Sequence, residues 1–212
     1  MSLDLARIDA TAVEYAPDAA RQRPRSQLIA ASIFSAVAIM VMATLLGLYL
    51  SARQTALAGN AEWIPTGGLP LTGPNTALFT LLLSIPAMLW AQQAVRNDDR
   101  QSMWVAFGIV LLLGAAFINA QAFILTSLNV STDPKASVGI SENPTMLLIF
   151  TIVGVHLAII GSAMASVLVT GFRALGGRLN RRDRDSVDAV ALFWYVTVAL
   201  FGVLWYAVYV MK

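Results

Sequence analysis

Residues 145–172 read TMLLIFTIVGVHLAIIGSAMASVLVTGF, and no charged side chain interrupts these 28 positions. An α-helix rises about 1.5 Å per residue, so this stretch is long enough to cross a hydrocarbon layer of about 30 Å. Hydrocarbon offers no hydrogen-bond partner to backbone N–H and C=O groups, and a helix satisfies them within the segment. The stretch therefore predicts a membrane-spanning helix.

Four more apolar runs of similar length lie at 27–50, 74–95, 102–128 and 187–210. Hydrophobic residues make up 58% of the 212 positions and charged residues 12%, which is about half the charged share of a soluble domain. The sequence predicts an all-α polytopic membrane protein in which residues 27–212 form one domain of five transmembrane helices. Residues 1–26 are polar, and we expect them to form a cytoplasmic tail.

The positive charges are distributed unevenly between the two predicted sides of the membrane. One side carries eleven arginines, namely Arg7, Arg21, Arg23, Arg25, Arg96, Arg100, Arg173, Arg178, Arg181, Arg182 and Arg184. The other side carries Arg53, Lys135 and Lys212. The positive-inside rule predicts a cytoplasmic N-terminus and an external C-terminus. The two charged loops on the basic side are short, so we expect helix two to pack against helix three and helix four against helix five.

The chemistry available to the chain is narrow, because it has no cysteine and one histidine, His156. That composition excludes a bis-His haem, a three-His zinc site and any cysteine-ligated metal. His156 lies near the predicted membrane midplane. It is either a proton-relay or quinone-contacting residue or a neutral side chain bonded to a neighbouring helix. We expect no carboxylate within the spans, and this favours the second interpretation.

Small residues recur at every fourth position of the fourth helix, at Gly154, Ala158, Ser162 and Ser166. Such a stripe lets another helix approach closely. It predicts a helix interface, either within the chain or with another subunit. On the third helix, Asn119 and Gln121 are expected to form hydrogen bonds across a helix interface.

The second helix ends with polar and aromatic residues at the predicted cytoplasmic surface. Trp90 is typical of the aromatic belt or of a lipid contact, and Gln92 and Gln93 are suited to contact headgroups. No catalytic constellation accompanies them. The basic loop after Gly176-Gly177 lies beside anionic headgroups, so we expect it to meet lipid and not nucleic acid.

One ordered set of residues runs from the second helix into the third: Asn75-Thr76, Ser84, Trp90-Ala91-Gln92-Gln93, Asp99-Arg100, Met103, Gly114 and Gln121. This set resembles the pattern of the cytochrome c oxidase subunit III family. Further matches follow in order at Tyr49 and Arg53, Trp63-Ile64-Pro65, Gly154-Val155-His156, Gly161 and Phe193-Trp194-Tyr195. The chain departs from the family where Gln92 and Gln93 replace the usual histidines and where Ala38 replaces a buried glutamate.

The resemblance implies a five-helix bacterial form of subunit III, a non-catalytic accessory subunit of an aa3-type cytochrome c oxidase in the bacterial cytoplasmic (inner) membrane. It implies haem and copper in partner subunits I and II, none in this chain. It also implies phospholipid held in a cleft between the first two helices and the rest, and support for proton uptake. By position, the candidate lipid or structural contacts are Trp90, Gln92, Gln93, Arg96 and His156.

Two other functions remain open from the sequence. The same fold could serve a quinol oxidase or a nitric-oxide reductase. A small transporter or channel is a different class, and the lack of internal repeats counts against it.

Overall fold

The computed structural model describes residues 26–60, 63, 71–129, 144–177, 179 and 184–211. Five long helices account for nearly all of them: α1 (Ser26–Ala58), α2 (Thr72–Arg96), α3 (Arg100–Asn129), α4 (Pro144–Leu175) and α5 (Arg184–Trp205). Residues Tyr206–Val210 extend α5 as a π-helical turn. Each helix is long and apolar enough to cross a membrane, so the prediction of an all-α chain with five helices of membrane-spanning length is confirmed. The predicted tail, residues 1–26, lies outside the described residues except for Ser26.

Helix α1 ends later than its apolar run predicts, at residue 58 and not at residue 50. The added segment, 51–58, reads SARQTALA and is rich in good helix formers. Backbone hydrogen bonding continues through such residues whether or not they are apolar. Hydropathy therefore marks the part of a helix that suits the hydrocarbon and not its full length.

The helices pack around α5, which contacts α1, α2 and α4. Helix α2 packs most extensively against α3, and α4 also contacts α3. The predicted neighbours, helix two with three and helix four with five, are confirmed. The main partner of α1 is α5, at the far end of the chain, and the rule about short loops could not have indicated it.

One end of the bundle, here called the basic end, holds the start of α1, the α2–α3 turn, the end of α4 and the start of α5. Arg96, Arg100, Arg173 and Arg184 lie there. The other end, here called the aromatic end, holds the end of α1 and the π-helical turn, with Tyr49 and Tyr209.

Helix α1 touches the bundle through a single stripe of buried residues. Its members are Ser35, Ala38, Met42, Leu46 and Tyr49, and their spacing of three and four residues puts them on one helix face. Residues 26–34 at the basic end contain no fully buried side chain. Helix α1 is therefore packed over its middle and its aromatic end, and its first two turns stand away from the core.

Candidate functional site

A cavity of about 550 Å³ lies at the basic end, where α1 stands away from α4 and α5. Its lining from α1 is Gln27, Ala30, Ala31 and Phe34. Helix α4 contributes Ser162, Ala165, Ser166, Val169, Thr170 and Arg173, and α5 contributes Ser186, Ala189, Val190 and Phe193. Most of these side chains are small or apolar, so three helices that are distant in sequence leave open space between them.

Polar side chains lie both along the α4 wall of the cavity, at Ser162, Ser166 and Thr170, and at the end of the cavity nearest the helix termini. Gln27 is in the first turn of α1, Arg173 in the last turn of α4 and Ser186 in the first turn of α5. Deeper in the cavity, Phe34, Val169 and Phe193 supply an apolar wall. An apolar slot with one cation and several hydrogen-bonding groups at its mouth suits a molecule with an acyl chain and a negatively charged headgroup.

A second, smaller pocket of about 410 Å³ lies on α2 at the basic end. It is lined by Leu89, Trp90, Gln92, Gln93 and Arg96, so the structure brings together four of the five candidates taken from the sequence. The side chains of Trp90, Gln93 and Arg96 are exposed. This pocket is a shallow surface on one helix, separate from the cavity between α1, α4 and α5.

Gln92 lines that pocket and also joins α2 to α5. Its Nε2 donates to Asp188 Oδ1 at 2.7 Å, and its Oε1 accepts from the hydroxyl of Tyr195 at 2.8 Å. The Arg184 Nε donates to Asp188 Oδ2 at 3.0 Å. The expectation of spans without carboxylates overlooked Asp188, which lies just inside the fifth run. Arg184 balances the charge of the Asp188 carboxylate, which also accepts the hydrogen bond from Gln92.

His156 lies inside the bundle, apart from both pockets. Its ring is buried, and Nε2 is 3.2 Å from the backbone oxygen of Thr197 on α5. An N–H at Nε2 donates to that carbonyl. The rings of Phe117 and Phe201 pack against it, with centroids 5.8 Å and 5.2 Å away. This geometry is that of a side chain bonding α4 to α5, and it does not bring His156 to the α2 pocket.

The stripe of small residues on α4 lies largely on the outside of the bundle. Gly154, Ala158 and Ser162 are exposed, and Ser166 is half-buried. A side chain added at Gly154 would meet nothing within 4 Å among the described residues. Packing against the described residues therefore does not explain Gly154 and Ala158, whereas Ser162 and Ser166 face the cavity.

Neither amide on α3 forms the expected interhelical hydrogen bond with a residue that the structure describes. Asn119 is exposed. Gln121 is buried, and neither its Oε1 nor its Nε2 is bonded to any residue that the structure describes. The helix pattern of the sequence placed both amides in an apolar span but could not assign a face to either.

The turn between α2 and α3 holds a conventional helix cap. Asp99 Oδ2 accepts from the Ser102 hydroxyl at 2.6 Å and Oδ1 from the Ser102 backbone N–H at 3.1 Å. These two bonds, the hydroxyl contributing most, lower the pKa of Asp99. Asp99 belongs to the Asp99-Arg100 pair of the resemblance, and its presence there is explained locally because it caps the N-terminus of α3.

Among the residues of the larger cavity, the sequence pointed to Ser162 and Ser166 as interface residues but assigned neither Arg173 nor Ser186 to a site. Arg173 carries a recognisable signal, since it is the first charged residue after the uncharged positions 143–172 and so marks the end of the apolar run. Its neighbours in space are Ala, Val and Ser residues, which have no signature in a membrane helix.

No protein-family model matches the chain. The chain is 25% identical over 164 residues to a protein of Synechocystis sp. named cytochrome c oxidase subunit 3. That alignment covers 77% of this chain and 66% of the relative, so the chain spans slightly less than two thirds of the relative's length. This distant similarity agrees with the motif-based resemblance, and the five long apolar helices agree with a multi-pass membrane protein.

Proposed function

We propose that this chain is a subunit III of a haem–copper terminal oxidase, an accessory component without a catalytic site of its own. The observation that carries the proposal is the similarity over 77% of the chain to a cytochrome c oxidase subunit 3, joined to five helices suited to span a membrane. On this proposal the haem and copper reside in partner subunits I and II of an aa3-type oxidase in the aerobic respiratory chain.

The proposed location is the bacterial cytoplasmic membrane, with the basic end towards the cytoplasm. The eleven arginines of that side support this orientation by the positive-inside rule. The N-terminus then lies inside the cell and the C-terminus outside, as an odd number of crossings requires.

We also propose that the chain binds phospholipid, chiefly in the cavity between α1, α4 and α5. Arg173 would meet the headgroup phosphate, Ser186 and Gln27 would add hydrogen bonds, and an acyl chain would lie along Phe34 and Phe193. The exposed surface of Trp90, Gln93 and Arg96 is a second, weaker headgroup contact, because one helix alone encloses little of a ligand.

The exposed small residues of α4 support contact with subunit I. Gly154 and Ala158 leave the backbone accessible to another membrane helix. Proton uptake is the remaining proposed role, and here the chain differs from its family. Ala38, where the family has a glutamate, is 6% exposed in the α1 stripe. Any support of proton uptake would therefore act through the catalytic subunit's stability and not through a carboxylate at this position.

Deletion of the chain's gene tests the proposal in the organism itself. The expected result is a haem-containing oxidase that retains its visible spectrum but loses activity faster during turnover. The full-length chain, supplied in trans, should restore the lifetime. An oxidase with unchanged lifetime in the deletion strain would contradict the proposal. Identifying the haem types and the electron donor of the affected enzyme would then distinguish a cytochrome c oxidase from a quinol oxidase or a nitric-oxide reductase.

A further inference from the structure

The exposed face of α3 carries a polar side chain at membrane depth. Asn119 is exposed and lies four positions from residue 115, the middle of the apolar run 102–128, which is about 6 Å along a helix. A carboxamide has two N–H donors and an acceptor oxygen, and hydrocarbon offers a partner to neither. Asn119 forms no hydrogen bond with a residue that the structure describes. Contact with lipid alone would leave these polar groups unsatisfied, at a cost in free energy.

Exposed hydroxyl groups elsewhere in the spans meet the same requirement within their own helices. Thr44 donates to the carbonyl of Met40 at 2.8 Å, and Thr151 donates to that of Leu147 at 2.8 Å. Such side chains can face lipid because a backbone oxygen of the preceding turn accepts their hydrogen. Asn119 lacks a bond of this kind to the described residues, so its partner must come from outside this fold.

The residues around Asn119 on the same face are spaced for contact with another helix. Leu112, Ala115, Ala122 and Thr126 are all exposed, Leu112 to 70%. With Asn119 they follow a spacing of 3, 4, 3 and 4 residues, which is the 3.5-residue period of a left-handed helix pair. The two alanines lie one turn on either side of Asn119 and let a second backbone approach closely. These five positions are here called the Asn119 face.

We propose that the Asn119 face binds the same face of a second copy of this chain. All copies cross the membrane in one orientation, so a twofold axis along the membrane normal sets two α3 helices parallel, with equal positions opposite each other. A carboxamide is complementary to itself, because the N–H of each can donate to the C=O of the other. The two Asn119 side chains therefore meet at one depth. A single asparagine in the seam of a parallel helix pair also fixes its register and favours a dimer.

The chemistry of Asn119 favours a second copy over a helix of another polypeptide. A different helix would satisfy the amide only if it carried an amide or hydroxyl group at this depth, whereas a second copy always does. The Asn119 face is also distinct from the exposed Gly154 and Ala158 on α4, which remain available to another subunit. Self-association through α3 and assembly with an oxidase are thus separate properties of the chain.

Disulfide crosslinking of the full-length chain in its own membranes tests the pairing, because the chain has no cysteine. Ala122→Cys places one thiol on the Asn119 face. Ala43→Cys is the matched control, since it makes the same change at an exposed position of α1, also in the half of its span towards the aromatic end. On oxidation we expect Ala122→Cys to give at least about tenfold more chain–chain disulfide, because equal positions of a parallel pair face each other. Equal yields, or a disulfide from Ala122→Cys only to a different polypeptide, would overturn the proposal.

Two further variants in the Ala122→Cys background test whether the asparagine holds the pair. Asn119→Leu removes the carboxamide, and the chain–chain disulfide should fall about five- to thirtyfold, the range for an interhelical hydrogen bond in a bilayer. Asn119→Gln keeps the carboxamide and should retain most of the disulfide. An undiminished yield in an Asn119→Leu chain with an unchanged melting temperature would refute the amide pair. The yield is independent of any co-purified haem protein, so this result and that for the proposed function are read separately.

Discussion

Trp194 on α5 donates its indole N–H to the hydroxyl of Ser84 on α2, at 2.9 Å, in the middle of the bundle. Both residues are fully buried and lie 110 positions apart. The bond fixes the orientation of the largest buried side chain in the core. The ring edge then reaches α3, where a Cβ atom at Gly114 would lie 3.0 Å from Trp194 Cη2. From α5, the Trp194 ring thereby contacts both α2 and α3.

Replacing Ser84 with alanine should destabilise the bundle by about 1–3 kcal/mol, because the buried Trp194 N–H would lose its acceptor. The free energy of unfolding in mixed detergent measures this. Ser166→Ala is the matched control, since its half-buried hydroxyl bonds to the Ala163 carbonyl of its own helix and so joins no second helix among the described residues. Equal effects of the two substitutions would show that the indole bond contributes nothing.

Gly114→Ala should cost about 1–3 kcal/mol, the range for overpacking a core. The added methyl would also lie 2.9 Å from Met164 Sδ. The thioether can move aside, but the Trp194 ring is held by Ser84. Gly108→Ala, on the same helix, meets nothing within 4 Å and should be neutral or stabilising by about 0.5–1 kcal/mol through helix propensity. Equal stability of the Gly114→Ala and Gly108→Ala variants would contradict the tight packing of Trp194 and Met164 against Gly114.

Neighbouring glutamines on α2 should differ sharply in their sensitivity. Gln92→Leu removes the bonds to Asp188 and Tyr195 and should destabilise by about 1–3 kcal/mol. Gln93→Leu alters an exposed side chain and should stay within about 0.5 kcal/mol. Unfolding of both variants in the same detergent provides the comparison. A larger loss for Gln93→Leu would mean that the exposed surface, and not the α2–α5 network, carries the constraint.

The sequence anticipated the number of helices because span length and the absence of charge follow directly from the properties of the bilayer. It also anticipated the pairs α2–α3 and α4–α5, since short loops leave few alternatives. It could not anticipate that α1 packs on α5. That contact depends on a stripe from Ser35 to Tyr49 that is as apolar as the exposed face of the same helix, so hydropathy carries no information about which face is buried.

The candidate site was harder to anticipate for a related reason. Trp90, Gln93 and Arg96 are conspicuous because they are polar or aromatic at a helix end, and they form a shallow surface. The larger cavity is built mostly from small and apolar residues on three helices, and space between helices leaves no pattern in a sequence. The sequence placed Gln92 near the end of α2, where the structure has it, but its bond to Asp188 depends on the tertiary structure.

Arg173→Gln should lower the amount of anionic phospholipid that co-purifies with the chain, because it removes the cation at the mouth of the cavity. Quantitative lipid mass spectrometry of the purified protein gives the readout. Arg96→Gln is the control, which removes an arginine from the exposed α2 surface. A loss of lipid with Arg96→Gln alone would assign the tighter lipid to α2 and contradict the cavity assignment.

Ala158→Leu should weaken association with a partner subunit, since a larger side chain at this exposed position blocks close approach of another helix. Ala115→Leu makes the same change on an exposed face of α3 and should have no such effect. Recovery of partner subunits with an affinity-tagged chain measures both. Unchanged recovery with Ala158→Leu would indicate that this face of α4 contacts lipid.

The most direct test of the central claim is affinity purification of the tagged chain from its own membranes, followed by a reduced-minus-oxidised visible spectrum and identification of the polypeptides that carry the haem. The account predicts a haem spectrum that belongs to a co-purified large subunit and is absent when the chain is expressed alone. A chain that carries a chromophore by itself, or that purifies with no haem-bearing partner, would contradict it.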